Sequence, residues 1–324
     1  MRTIPIIVIT GGDPCGIGPE VILKALAHRP RARLVIIGDH AVFEQTAQHL
    51  HRRLPSWTVV SPRDPWLPRA EHPVFIDLAH PHRFVPGHPS AVAGRAALSY
   101  LSHAVALARQ GRIQALVTAP VTKWAIQRSH RGFIGHTEYL AHAFKVRRVA
   151  MMFASDRLRV VLLTRHVPLA SAGRLVNRAL MRDTLQLTAE MLRRHFGIPY
   201  PRVAICGLNP HAGERGLFGT EERRILPAIQ QLNRARRMCD GPLAADSVFA
   251  NASRYDAIVC WYHDQGLIPF KMVARDAGCQ LTLGLPIVRT SPDHGSALDI
   301  AGRGLAHPGS MQYALQLAIK LARC

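Results

Sequence analysis

Short apolar runs alternate with amphipathic stretches along the whole chain, and this alternation limits the fold more than any other feature. Runs at Ile4 to Thr10, Leu34 to Gly38, Val74 to Leu78, Ala115 to Thr118, Val149 to Phe153, Leu158 to Thr164, Val203 to Gly207, Ala257 to Trp261 and Thr282 to Val288 read as strands. Between them, Pro19 to His28, Ser90 to Gln110, Thr137 to Phe144, Ser171 to Phe196, Thr220 to Arg236 and Gly309 to Arg323 carry apolar residues at helical spacing. Strand, helix, strand order of this kind predicts an α/β fold with largely parallel central sheets. The chain has 324 residues, 48% of them apolar, which is enough to bury one large core or two ordinary ones. No repeat, low-complexity tract or Gly/Ser linker interrupts it, so a second domain would be integral, entered and left by crossing strands.

Charge and cysteine usage narrow the setting. Lys and Arg number 41 against 21 Asp and Glu, a net charge of +20, which attracts anions of several kinds. The clusters (Arg29, Arg31, Arg33; Arg52, Arg53; Arg193, Arg194; Arg234, Arg236, Arg237) are scattered and lack interleaved aromatics. They read as solvated helix faces rather than a specific nucleic-acid surface. Cys15, Cys206, Cys239, Cys260, Cys279 and Cys324 show no C-x-x-C pair or metal-type spacing, so free thiols in a reducing cytoplasm are expected. The opening MRTIPIIVITGGDP lacks a signal-cleavage pattern, and no apolar stretch is long enough to span a membrane.

Three of the eighteen histidines directly follow apolar runs: LRVVLLTRH ends in His166, RVAICGLNPH in His211 and DAIVCWYH in His263. Open α/β sheets bind ligands just beyond the carboxyl ends of their strands. One histidine there is more often a cap or a core residue; three together point to a divalent metal with positions left open for substrate. Polar residues occupy similar junctions. Gly135, His136 and Thr137 precede an apolar helix, where Thr137 is expected as N-cap and the free amides suit an anion. Lys271 follows His263 by eight residues, and Arg289 ends the last apolar run; both suit anion clamping. GGDPCGIGPE, after the first strand, is neither G-x-G-x-x-G nor G-x-x-x-x-G-K-[ST], so a Rossmann cofactor site and a P-loop are unsupported.

GDPCGIGPEVILKAL, VTAPVTK, GHTEYLA, GLNPHAGE, YHDQGLIPFK and TLGLPIVRTSPDHGSALDIAGRG, in this order, closely resemble the 4-hydroxythreonine-4-phosphate dehydrogenase (PdxA) family of pyridoxal phosphate biosynthesis. GIGPE and HGSALDIAGRG also resemble segments of isopropylmalate and isocitrate dehydrogenases, which bind NAD(P) without a Rossmann fingerprint. The resemblance implies a two-domain α/β/α fold of that kind, with an active-site cleft between domains. A discontinuous first domain (1–125 and 285–324) would pair with a second (126–284) that carries the metal ligands and dimer interface. It implies His166, His211 and His263 as metal ligands shared across a homodimer, the metal being Zn, Mg, Mn or Co. His136, Thr137, Lys271, Gln280 and Arg289 match substrate-binding positions, Lys271 also serving proton transfer. Asp293, His294 and Gly295 are expected against NAD or NADP. Gln280 stands where the family commonly has Asn, displacing the amide by about one methylene, which shifts specificity by roughly 1–3 kcal/mol in a tight pocket.

The implied reaction is metal-dependent oxidation of 4-phosphohydroxy-L-threonine to a β-keto acid, followed by decarboxylation to 3-amino-2-oxopropyl phosphate. D-erythronate or D-threonate 4-phosphate, or a dihydrodiol dicarboxylate, would undergo the same chemistry. From the residues alone, two other classes stay open: a metal-dependent hydrolase, for which no Glu is obviously placed as base, and a basic nucleic-acid-binding protein. A small phosphorylated substrate, with neither specific nucleic acid nor membrane, is the expected partner.

Overall fold

The computed structural model describes residues 4–27, 30, 32–64, 72–234 and 237–323. His28, Arg29, Arg31, Arg236 and Cys324, singled out above, lie outside them. In chain order the elements are β1 (Ile6–Thr10), α1 (Gly18–Leu26), β2 (Arg33–Gly38), α2 (His40–His49), β3 (Thr58–Val60), β4 (Val74–Asp77), α3 (Ala91–Arg109), β5 (Ala115–Thr118), α4 (Lys123–Gln127) and α5 (His136–Ala143). They continue with β6 (Ala150–Ser155), β7 (Arg159–Leu162), α6 (Leu169–Leu175), α7 (Arg178–Arg194), β8 (Val203–Cys206), α8 (Leu226–Leu232), β9 (Cys239–Leu243), α9 (Ala245–Ala250), β10 (Ala257–Cys260), α10 (His263–Ala274), β11 (Gly278–Leu283), β12 (Val288–Pro292) and α11 (Gly309–Leu321). Two compact units result, 1–147 with 285–323, and 148–284.

In the first unit the strands run β3-β4-β2-β1-β5-β12, every pair parallel. Strands of a parallel sheet are covered on both faces and read as unbroken apolar runs, and the fully buried β5 (ALVT) and nearly buried β1 (IIVIT) do so. Ser90 starts α3 by accepting a bond from the Ala93 amide at 3.1 Å. Gly94 lets α4 lie against α3, since a Cβ there would stand 2.2 Å from the Ala125 carbonyl oxygen. In the second unit the order is β11-β6-β7-β10-β8-β9. Its β7, β10, β8 and β9 are parallel neighbours, whereas β11, β6 and β7 pair antiparallel. Each unit has its own core, around Val8, Ile37, Tyr100 and Leu116 in the first and Val160, Ile258, Cys260 and Phe270 in the second.

Four sequence expectations change. Thr282 to Val288 is not one strand: Gly284, at φ 90°, ends β11, and a new strand begins at Val288. Ser171 to Phe196 is two helices, because Asn177 leaves helical geometry and its side chain caps α7 through the Leu180 amide at 3.0 Å. Thr220 to Arg236 holds a 3-10 turn, Glu221–Arg224, and then the short α8, with Pro227 at its start. Thr137 is not an N-cap; Gly135 is, and Thr137 sits buried inside α5. Cys15, Cys206, Cys239, Cys260 and Cys279 are buried free thiols. No helix among the described residues is long and apolar enough to cross a membrane.

Candidate active site

In the second unit, β10 lies between β7 and β8, and all three run parallel. Their carboxyl ends therefore share one edge of the sheet. His166 comes four residues after β7, His263 three after β10 and His211 five after β8. All three imidazoles are exposed. The rings of His166 and His263 stand 6.1 Å apart, centre to centre, at 41°. For imidazole nitrogens about 2.1 Å from a zinc ion, ring centres lie about 5–6 Å from one another, depending on the angle at the metal. The observed pair stands just beyond that range, so a small movement of either ring would bring both onto one cation. His263 also bonds through Nδ1 to the Asp264 carboxylate at 2.6 Å, which fixes the tautomer with Nε2 as the lone-pair nitrogen.

His211 is placed differently. Beyond Pro210 the backbone takes left-handed φ values at five successive residues: 52° at His211, 53° at Ala212, 81° at Gly213, 39° at Glu214 and 59° at Arg215. Left-handed geometry costs a non-glycine residue about 1–2 kcal/mol, so the surroundings must hold the turn in place. The His211 ring packs 6.1 Å from that of Phe218. Among the described residues, no three His, Cys, Asp or Glu side chains of one chain converge tightly enough to hold a cation.

Lys271 and Gln280 belong to the same unit. Lys271 lies in the last turn of α10, about 12 Å along the helix axis from His263, so the two do not sit side by side. Gln280 is buried in β11 and donates from Nε2 to Thr282 Oγ1 at 3.1 Å.

The remaining anion-binding candidates meet in the first unit. Arg289, on β12, is 2% exposed and donates from Nη2 to Thr118 Oγ1 of β5. Burial first, then the charges of Arg289 and Lys123, push the His136 pKa well below 6.5. His136 is therefore a neutral ring beside two cations, at the start of α5. Lys123 Cε would lie 3.8 Å from a Cβ built on Gly135. Sequence reasoning missed Lys123 as a site residue, although it is the terminal lysine of VTAPVTK; it also missed Asp264, next to His263. The lowered pKa has a measurable sign. The unfolded chain takes up a proton near 6.5 and the folded ring does not, so this contribution to stability is present above 6.5 and is lost as pH falls. In His136→Gln, urea denaturation between about pH 5 and pH 7 should show a flatter loss of stability than in the parent; an identical slope would contradict the assignment.

The glycine loop after β1 is used internally. A Cβ at Gly12 would stand 2.4 Å from the Pro120 carbonyl oxygen, one at Gly18 2.4 Å from that of Gly11, and one at Gly16 3.0 Å from Ser296. These glycines let the chain's own backbones approach rather than cradle a pyrophosphate. The loop after β12 packs here too, with the Ile17 amide donating to the Ser296 carbonyl at 3.0 Å. Ser310 Oγ donates to Asp293 Oδ1 at 2.7 Å, which ties Asp293 to the start of α11. His294 is half-buried, and a Cβ on Gly295 would meet open space, leaving room for a ligand at 293–295. Of the basic clusters, Arg193 and Arg194 end α7, where Arg193 Nη2 approaches Met238 Sδ at 3.6 Å, and Arg237, adjacent to Met238 along the chain, pairs with Asp240 at 2.7 Å.

The model of the pyridoxal phosphate biosynthetic protein PdxA family matches residues 30–318. The chain belongs to the PdxA family. It is an enzyme of that family and an oxidoreductase. A 4-hydroxythreonine-4-phosphate dehydrogenase of Desulforapulum autotrophicum is 44% identical over 97% of this chain and 94% of the relative. A D-threonate 4-phosphate dehydrogenase of Cupriavidus necator is 42% identical over 98% of each. Among solved structures, the 4-hydroxythreonine-4-phosphate dehydrogenase of Klebsiella pneumoniae matches with TM-score 0.88 and 35% identity, covering 99% of both chains. The two-unit α/β architecture is thus that of PdxA proteins.

Proposed function

We propose that this PdxA-family chain oxidises the secondary alcohol of a phosphorylated β-hydroxy acid, 4-phosphohydroxy-L-threonine first, and releases CO2 to give 3-amino-2-oxopropyl phosphate. His166, His211 and His263 are the proposed ligands of a divalent cation. The observation that carries this reading is their shared position beyond neighbouring parallel strands, two of the rings close to metal-sharing distance. Three imidazoles suit Zn or Co better than Mg, which prefers oxygen. Bound cation and NAD(P)+ would supply a polarised alcohol, a hydride acceptor and stabilisation of the charge left as CO2 departs.

The chain's own groups do the rest. Asp264 orients the His263 ring. Arg289 and Lys123 attract the substrate's anionic end, and His136, kept neutral, offers it a hydrogen bond without adding charge. Thr137 is buried beside His136, and Lys271 is the proposed proton-transfer group. Residues 293–295 are proposed to border the NAD or NADP site. A homodimer is part of the proposal: among the described residues one chain gathers no three metal-ligating side chains, and α10, which carries His263, exposes Ile268, Met272 and Val273, an apolar face suited to a second copy. The buried free thiols suit a cytoplasmic setting.

A second reading, D-threonate 4-phosphate as substrate, is supported by the near-equal identity of that relative. NADH formation from each substrate, with and without chelator, tests both. Chelator-sensitive turnover of the phosphothreonine supports the first reading, turnover of the sugar acid alone moves the assignment to the second, and chelator-insensitive turnover removes the metal.

A further inference from the structure

The left-handed turn at 211–215 would not persist without something to hold it: Arg223 Nη2 donates to the Arg215 carbonyl at 3.1 Å and the Ala212 amide to that of Asn209 at 3.1 Å, while the residues leading into the turn are held by a buried carboxylate. Glu222 is 4% exposed. Its Oε1 accepts from the Leu208 amide at 2.9 Å and the Asn209 amide at 2.8 Å. Asn209 Nδ2 donates to both oxygens, at 3.3 and 3.2 Å, and to Glu221 Oε2 at 2.8 Å. The turn lies directly against the same carboxylate: a Cβ on Gly213 would stand 2.8 Å from Glu222 Oε2. Among the described residues Glu222 makes no ion pair, so its charge is spent on the amides of the two residues before Pro210 and His211. A buried carboxylate satisfied by loop amides is a rigid anchor.

We propose that Glu222 is a positioning residue for His211, fixing the turn that presents this imidazole for metal binding. The inference rests on His211 being a ligand, as proposed above. A group that only supports the fold would alter the melting temperature and leave metal affinity, measured well below the melt, unchanged.

The test is titration of the chelator-treated full-length protein with Co2+, followed by calorimetry and visible absorption, in the parent, Glu222→Gln and His211→Ala. Glu222→Gln keeps the size and one acceptor oxygen but sets an NH2 among the donors at Asn209. The expected result is a Kd raised about 10–100-fold in Glu222→Gln, a changed Co2+ spectrum, and kcat recovered at high metal concentration. Parent-like affinity in Glu222→Gln with lost affinity in His211→Ala overturns the positioning role and leaves the ligand in place. Parent-like affinity in both removes His211 from the ligand set, and the proposal with it. Should Glu222→Gln not fold, hydrogen exchange of residues 207–213 in the parent decides: added Co2+ slows it if the anchored turn presents a ligand, and unchanged exchange overturns the proposal.

Discussion

Replacing His263 by Ala should remove metal-dependent turnover. His263 follows the middle one of the three strands, pairs with His166 at 6.1 Å and is oriented by Asp264, so its loss breaks the only close imidazole pair among the three candidate ligands. Even changes one shell out from a ligand cost about 10–100-fold in affinity or activity, so kcat/KM should fall by more than about 100-fold. The exposed side chain supports no core packing, and the variant should melt within a few degrees of the metal-free parent. Asp264→Asn should fall between the two, since it keeps a hydrogen-bond acceptor for Nδ1 and loses the charge. A His263→Ala enzyme with parent-like, chelator-sensitive activity would contradict the ligand assignment.

Arg289→Met should have the second large effect, and a different one. The guanidinium is buried on β12, bonded to Thr118, and acts electrostatically on His136. Removing a cation proposed to meet an anionic substrate group should raise KM for the phosphorylated substrate about 10–150-fold, from the loss of charge-assisted bonds of about 1.5–3 kcal/mol. KM for NAD should change little. A second readout is independent of activity: with the Arg289 charge gone, the His136 pKa should move up toward 6.5 in an NMR titration, while burial keeps it below that value. Arg289→Lys should rescue the charge and not the fork geometry. An unchanged KM, with His136 titrating as before, would take Arg289 out of the anion subsite.

How much of this was legible in the sequence depended on the range of the interaction. Histidines at strand ends were visible because apolar runs mark parallel strands and their last residues mark one sheet edge. The breaks were not. Gly284 interrupts an otherwise apolar run with a φ that periodicity cannot show, and Asn177 caps a new helix inside what reads as one amphipathic stretch. Thr137 looks like a cap by type, yet the preceding Gly135 takes that place and Thr137 turns inward. Least visible was the left-handed turn around His211, since it depends on Glu222, eleven residues further on, reaching back to the amides of Leu208 and Asn209. Lys123 and Asp264 lay within quoted motifs, and their roles emerged only from what their side chains approach.

Anomalous diffraction from crystals grown with Zn2+ or Co2+ tests the shared metal centre most directly. One strong peak per site is expected, about 2.0–2.2 Å from imidazole nitrogens of His166, His211 and His263, with at least one of the three supplied by the second copy of the chain. Peaks bound by other residues, or these three histidines lying apart around an ordered dimer, would contradict a shared centre.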